Sequence, residues 1–335
     1  MSALQTFLMR VKGGSVKRLI HNVELIHKES GKSRFLLYPD VIYCMLFKGY
    51  GYLEYYTYGF AYIGWDKRNT FMNMNEHLAM TRKLNDREYF IIFDDKCRFY
   101  RQFQAFLKRD YVDLHDPFDA FATFCGKHSV FFVKQPVSYG GLGVKKIKLE
   151  SGEDLKALYE SLKEDRFYLA EEVISQDERM AYLNPSSVNT VRIVTIVKES
   201  GEVEVVYALL RVGSGKNSVD NVSSGGMYTL LTDEGEAIYP YFCDKDVAYY
   251  SRHPVNGHDL LHFTVPYYKE AVELCKEAAR AVPHMRYIGW DIAITKNGPV
   301  LVEGNNLPGY DMCQNHRFHE DGRGMKEKFR RILEG

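Results

Sequence analysis

The stretch Tyr287-Ile-Gly-Trp-Asp-Ile-Ala-Ile-Thr-Lys-Asn-Gly-Pro-Val-Leu-Val-Glu-Gly-Asn-Asn-Leu-Pro-Gly309 carries two apolar runs around Lys296-Asn297-Gly298. Asn-Gly between such runs is a strong hairpin signal. A three-residue loop would pair Thr295 with Pro299, and hence Asp291 with Glu303. Asn305, two residues on, would share the face of Glu303. A two-residue loop would slip this pairing by one position. In the first register two carboxylates stand about 5 Å apart, which is unfavourable unless something lies between them. Mg²⁺, a hard cation that takes carboxylates and substrate phosphates, answers that constraint. A solvent-facing acid at a strand end is the alternative.

Working back along the chain, VFFVKQPVSYGGLGVKKIKL (130–149) reads as strand, glycine-rich loop, strand. Gly140, Gly141 and Gly143 permit close backbone approach, so amides can converge on phosphate oxygens. Lys134 adds a point charge at the strand end. The loop lacks GxxxxGK[ST] and leads into a strand, which excludes a P-loop and a Rossmann fingerprint. A plain flexible hairpin is the competing reading.

The remaining pattern is mixed. GEDLKALYESLKE (152–164) and YKEAVELCKEAARAV (268–282) are helix-like, and FYLAEEVI (167–174) is strand-like. NTVRIVTIVK and VEVVYALLRV flank a Glu199-Ser200-Gly201 turn. A last helix carries Met325, Phe329, Ile332 and Leu333 on one stripe. Residues 1–110 read as mainly helical and irregular, with one strand expected at Tyr89–Phe93. Their aromatic run GYGYLEYYTYGFAYIGW (49–65) suits packing between helices, with a ligand platform as the alternative.

Composition sets outer bounds. The 335 residues carry 44 Lys+Arg and 44 Asp+Glu, so the summed charge gives no footprint for nucleic acid or an anionic membrane, although local basic patches stay open. No apolar run spans a bilayer and no signal peptide is read, so no membrane span is expected. Cys44, Cys97, Cys125, Cys243, Cys275 and Cys313 form no CxxC pair, which suits reduced structural thiols in a cytoplasmic protein. His258/His262 and His316/His319 have metal-pair spacing but lack a matching third ligand.

Taken in order, FFVKQPVSYGGLGV, YLAEEVISQ, SSVNTVRIVT, VDNVSSGG and GWDIAITKNGPVLVEGNNLPG resemble the ATP-grasp superfamily, and within it the sugar-transfer-associated branch of surface-polysaccharide gene clusters. The resemblance implies an α+β fold in which two β-rich lobes clasp ATP, behind a mainly helical, aromatic-rich N-terminal region. Its implied divisions are 1–95, 96–166 for the small lobe and 167–335 for the large lobe.

The resemblance also implies roles. Lys96 and Lys134 would contact phosphates, and Ser138, Tyr139, Gly140, Gly141 and Gly143 would form a lid over them. Glu171, Glu172 and Val173 would line the adenine pocket. Glu178, with Asp177 and Gln176 adjoining, has the spacing of a ribose ligand. Asp291, Glu303 and Asn305 match the Mg²⁺ ligands. Arg192 and Arg211 would stabilise charge at the transferring phosphoryl group. Asp220, Asn221 and the segment 223–226 resemble an acceptor-side block.

The implied activity is an ATP-dependent carboxylate–amine ligase working through an acylphosphate. Its acceptor would be a small carboxylate such as a uronic acid or a nucleotide-linked sugar, and its donor an amine. An ATP-grasp kinase acting on a hydroxylated acceptor is the alternative. A homodimer is common in the superfamily.

Overall fold

The computed structural model describes residues 16–138, 143–215 and 225–334. Tyr139, Gly140, Gly141, Asp220 and Asn221, with positions 223 and 224, lie outside the described residues. The chain divides into two compact units, one of Met1–Lys83 with Gly309–Gly335 and one of Leu84–Pro308.

The second unit contains two antiparallel sheets. The smaller runs β1 (Tyr111–Asp113), β4 (Leu169–Glu172), β2 (Val130–Lys134), β3 (Val144–Lys148). Phe121, Phe124, Phe131, Tyr159 and Leu162 make its core with the helices Phe118–Lys127 and Leu155–Glu164. Asp154 starts the latter helix by accepting from the amides of Lys156 and Ala157.

The larger sheet has seven strands. It runs β10 (Ala248–Tyr250), β9 (Tyr241–Cys243), β7 (Met227–Leu230), β6 (Val203–Val212), β5 (Thr190–Val197), β12 (Tyr287–Thr295), β13 (Gly298–Asn305). A separate short ribbon joins β8 (Glu236–Ala237) to β11 (Phe263–Thr264). Every residue of β5 is buried, the pattern of a central strand covered on both faces. The helix Tyr268–Arg280 turns Ala271, Leu274, Cys275 and Ala278 into the same core.

The hairpin β12–β13 differs from expectation in an instructive way. Thr295 pairs with Gly298, so the loop is two residues long, which alone would have slipped the register. Gly298 sits at φ +101°, a conformation that costs glycine little, and this permits the shorter loop. A bulge then leaves Val302 unpaired between Leu301 and Glu303 and restores Asp291 opposite Glu303.

The expected strand at Tyr89–Phe93 is absent. A single 3₁₀ turn, Arg87–Tyr89, leads into the helix Phe90–Asp94. Asp86 accepts from the amide of Glu88 and starts the turn, and Asp95 caps the helix that follows, Lys96–Gln102. Phe93 is buried while Ile91 faces solvent, so the run has one apolar face and does not need to be covered on two.

The first unit is mainly helical in its described residues, and the tyrosine-rich run is its core. Tyr50, Tyr55, Tyr58 and Phe60 are buried, and Tyr58 stacks on Phe71 at 4.8 Å. Arg68 reaches both oxygens of Asp40 at 2.8 Å, and the Tyr55 hydroxyl donates to the same carboxylate. Gln314 ties the C-terminal segment in, accepting from the amide of Met72 and donating to the Tyr58 hydroxyl. All six cysteines are free thiols and buried. Among the described residues no helix is long and apolar enough to cross a membrane.

A Cβ at residue 298 would meet no atom within 4 Å, so a substitution there tests backbone conformation alone. Gly298→Ala should lower stability by about 1–2 kcal/mol in urea titrations, the cost of forcing a non-glycine residue to that φ. An unchanged midpoint would contradict the hairpin geometry.

Candidate active site

The site lies within the unit Leu84–Pro308, where the helix Lys96–Gln102, strand β2 and the end of β13 border one small cleft that opens to solvent. Lys96, Tyr100, Lys134, Ser138, Glu303 and Asn305 contribute to its walls. Each arrives for a local reason. Asp95 caps the helix that begins at Lys96, and Tyr100 follows one turn later on the same face. Lys134 ends β2, where Ser138 opens the glycine-rich turn. Gly304 lies so close to Phe93 and Phe99 that a Cβ would sit 2.8 Å from Phe99, which fixes the strand carrying Glu303 and Asn305.

Lys96 donates to the backbone oxygen of Ser138 at 2.7 Å and to its hydroxyl at 3.1 Å. Burial lowers the Lys96 ammonium pKa, Glu303 works against that shift, and the charge of Lys134 adds to it. Lys134 is ion-paired with Glu171, whose carboxylate also accepts from Tyr100 and from Arg109, the latter at 2.9 Å. Burial alone would raise the Glu171 carboxyl, but Lys134 and Arg109 bring it down to about 2. Burial alone would lower Lys134, and Glu171 with Tyr100 raises it to about 12. Arg109 further donates to the Leu301 carbonyl at 2.6 Å, tying this network to β13.

The second cluster is centred on Asp291. Arg192, directly opposite it on β5, grips both carboxylate oxygens, the Nη2 contact measuring 2.8 Å. Arg211 on β6 places Nη1 3.1 Å from each oxygen. Gly289 makes the first contact feasible, because a Cβ there would lie 3.1 Å from the Arg192 side chain. Burial opposes ionisation of Asp291, yet the two arginines hold its carboxyl below the usual range. Asn305 donates to the Gly289 carbonyl at 3.3 Å and lies 3.5 Å from Asp291 Oδ2.

Glu303 differs from both neighbouring acids. It makes no ion pair or hydrogen bond among the described residues, and its side chain reaches solvent through the cleft although protein flanks it closely. That enclosure, followed by the charge of Asp291, raises its carboxyl. An open carboxylate beside a second carboxylate and an amide oxygen is a donor set that suits a hard divalent cation. Asp291 already serves two arginines, so Glu303 is the most available of the three.

The structure therefore brings Lys96, Lys134, Ser138, Glu303 and Asn305 to one cleft and gathers Arg192, Arg211 and Asp291 into one ion cluster. Glu171 supports Lys134 from behind. Gly143, at φ +69°, closes the glycine-rich turn, its carbonyl accepting from the amide of Gln135. The neighbours of Glu171 serve elsewhere. Glu172 accepts from the amide of Asp110, and Val173 follows the end of β4. Glu178 is exposed at the start of the helix Glu178–Leu183, whose cap is Asp177. Gln176 donates to the Asn184 and Ser187 carbonyls. His258 bonds the Tyr182 carbonyl and His262 bonds Glu236, while His316 and His319 bond the Thr57 and Cys313 carbonyls. Sequence reasoning missed Tyr100 and Arg109. The i, i+4 spacing from Lys96 could have flagged Tyr100; nothing local marks Arg109.

The family model described as sugar-transfer associated ATP-grasp matches residues 142–317. Among solved structures, the chain is similar to the ATP-grasp ligase PsnB complexed with a phosphomimetic variant of its minimal precursor, Mg and ADP. That alignment has 13% identity, covers 69% of this chain and 56% of that one, and has a TM-score of 0.41. It is also similar to N5-carboxyaminoimidazole synthetase from Staphylococcus aureus complexed with ADP, at 12% identity over 66% of this chain and 46% of that one, TM-score 0.42. D-alanine-D-alanine ligase from Coxiella burnetii gives 13%, 65%, 49% and 0.37 respectively. The chain thus spans about half the length of these proteins, and likeness at this level identifies neither substrate nor reaction. No curated protein matches the chain.

The Lys134–Glu171–Arg109 network has a pH signature. A carboxyl at about 2 when folded, against 4.5 ordinarily, stabilises the fold above pH 4.5, and this contribution is lost as pH falls toward 2. Glu171→Gln should flatten the acid arm of stability measured by urea midpoints between about pH 5 and pH 2.5. At neutral pH it should also cost about 3 kcal/mol, because two buried cations lose their partner. An acid arm identical to wild type would refute the assignment.

Proposed function

Since the chain belongs to the sugar-transfer-associated ATP-grasp family, we propose that it is an ADP-forming carboxylate–amine ligase whose cleft at Lys96, Lys134 and Glu303 takes the triphosphate of ATP. One observation carries this reading: two lysines converge on a single cleft that also presents Glu303, a carboxylate with no partner among the described residues. Two cations, Lys96 and Lys134, and two carboxylates, Asp94 and Glu303, line the cleft, while Arg109 and Glu171 back Lys134 and the arginines Arg192 and Arg211 hold Asp291.

The residues have distinct tasks under this reading. Lys96 exchanges its bonds to Ser138 for phosphate oxygens. Lys134 is kept protonated and aimed by Glu171 and Tyr100. Glu303, with Asn305 and Asp291 beside it, would hold Mg²⁺, which would neutralise charge on the transferring phosphate. Arg192 and Arg211 act through Asp291, keeping it ionised and oriented; either is also placed to meet charge that develops near it. Glu171, Glu172 and Val173 are assigned to the adenine side and Glu178 to the ribose side on the family pattern alone.

In the first step an acceptor carboxylate attacks the γ-phosphorus, the bond to the β-phosphate oxygen breaks, and acylphosphate and ADP result. In the second an amine displaces inorganic phosphate and loses a proton, leaving an amide. Positioning and charge stabilisation suffice for both, so no side-chain nucleophile is needed. The carboxylate is proposed to be a small sugar acid of the uronic type, free or nucleotide-linked, on the strength of the family description.

The test is incubation with Mg-ATP, a panel of uronic acids and a panel of amines, with ADP and inorganic phosphate followed separately and products weighed by mass spectrometry. Equal ADP and phosphate requiring both substrates, with a product one water lighter than their sum, is the expected result. ADP without phosphate, with one substrate gaining a phosphoryl group, would instead establish a kinase. Glu303→Gln should lower turnover by about 100-fold or more with the thermal melt unchanged; near-normal turnover would remove Glu303 from the site.

A further inference from the structure

The neutral charge of the whole chain conceals an asymmetry that only the division into units exposes. Met1–Lys83 with Gly309–Gly335 carries 18 Lys+Arg against 11 Asp+Glu, a formal +7, which leaves Leu84–Pro308 with 26 against 33, a formal −7. The basic unit also presents an apolar helix face to solvent. The helix Arg34–Tyr43 continues as a wider turn through Cys44–Lys48, and its inner stripe of Leu37, Val41 and Cys44 is buried.

The outer stripe recurs at helical spacing and is apolar throughout. Phe35 is 90% exposed, Leu36 69%, Ile42 43%, Tyr43 41% and Phe47 69%. At roughly 150–250 Å² for each aromatic side chain, these residues leave on the order of 500–600 Å² of apolar surface in water, the size at which a patch marks an interaction site.

We infer that this helix face docks on the surface of an anionic lipid bilayer. The rim of the stripe has the chemistry of an interfacial segment. The Lys48 ammonium lies 5.1 Å from the ring of Trp65 and 6.0 Å from that of Tyr43, so a cation and two aromatic rings share this rim. Trp and Tyr rings are suited to the headgroup level. Lys17, Arg18, Lys28 and Lys32, on the same helical hairpin, are exposed and make no ion pair among the described residues. The acids of this hairpin are engaged: Glu24 pairs with Arg34, Asp40 with Arg68, and Glu29 accepts from Tyr56. Apolar insertion and attraction to anionic headgroups then act together, the combination that holds an amphipathic segment in the interface. A second copy of the chain fits less well, because a two-fold contact through this face would bring two units of +7 together.

The experiment is sedimentation of the full chain with phosphatidylcholine vesicles, with or without about 30 mol% phosphatidylglycerol. Partitioning onto the anionic vesicles should exceed that onto the neutral ones by at least about tenfold and fall steeply in high salt. Phe35→Ser/Leu36→Ser/Phe47→Ser should lower it by at least about tenfold with an unchanged thermal melt, and Lys17→Glu/Arg18→Glu should weaken it and its salt dependence. Wild-type protein remaining in the supernatant would overturn the inference, as would full binding by the triple variant. A concentration-dependent dimer by light scattering that the triple variant abolishes would assign the face to a second copy instead.

Discussion

A carboxylate buried inside a sheet is tolerable only if its charge is met, and Asp291 is met twice. Arg192 and Arg211 reach it from two successive strands, so β5, β6 and β12 must keep one register for all three side chains to share a face. Removing one member would leave uncompensated charge in the interior, which costs far more than an exposed pair contributes. This requirement explains features that look incidental. Gly289 is small because Pro308 and Arg192 both pack over it, and the bulge at Val302 returns Glu303 to the position opposite Asp291.

A second network mirrors the first at the small sheet. Lys134, Glu171, Arg109 and Tyr100 join β2, β4, the helix Lys96–Gln102 and the carbonyl of Leu301. Both networks leave a residue uncommitted toward the cleft. Among the described residues Lys96 is held by Ser138 alone, and Glu303 has no partner. An unpaired acid and a lightly held base, beside cations already balanced from behind, give the cleft its capacity for an anionic ligand with a divalent ion. The ligase proposal rests on this contrast between committed and uncommitted charge.

The basic unit has a different logic. Tyr50, Tyr55, Tyr56 and Tyr58 are spent on packing and on the Asp40–Arg68 pair, so most of the aromatic run serves as core while Tyr62 and Trp65 reach solvent. What remains outside is the helix face at Phe35–Phe47, apolar where water would favour polar residues. The charge that complements it was invisible in the total, since +7 and −7 sum to zero.

The sequence by itself determined the strands around 130–148 and 190–212, the helix at 268–280 and the pairing of Asp291 with Glu303, because period-two and helical apolar patterns and an Asn-Gly turn are local signals. It was right about that pairing for an incomplete reason, since a bulge is a property of two strands in contact and no single stretch encodes it. The helix at Phe90–Asp94 was hidden for a related reason: five apolar residues suit a strand or a helix, and the caps at Asp86 and Asp95 decide between them. Only the tertiary structure decided that Arg192 and Arg211 converge on one carboxylate, and that Arg109 and Tyr100 support Lys134 through Glu171. Side chains 37 to 99 residues apart meet through sheet register and burial, and spacing along the chain carries no trace of either.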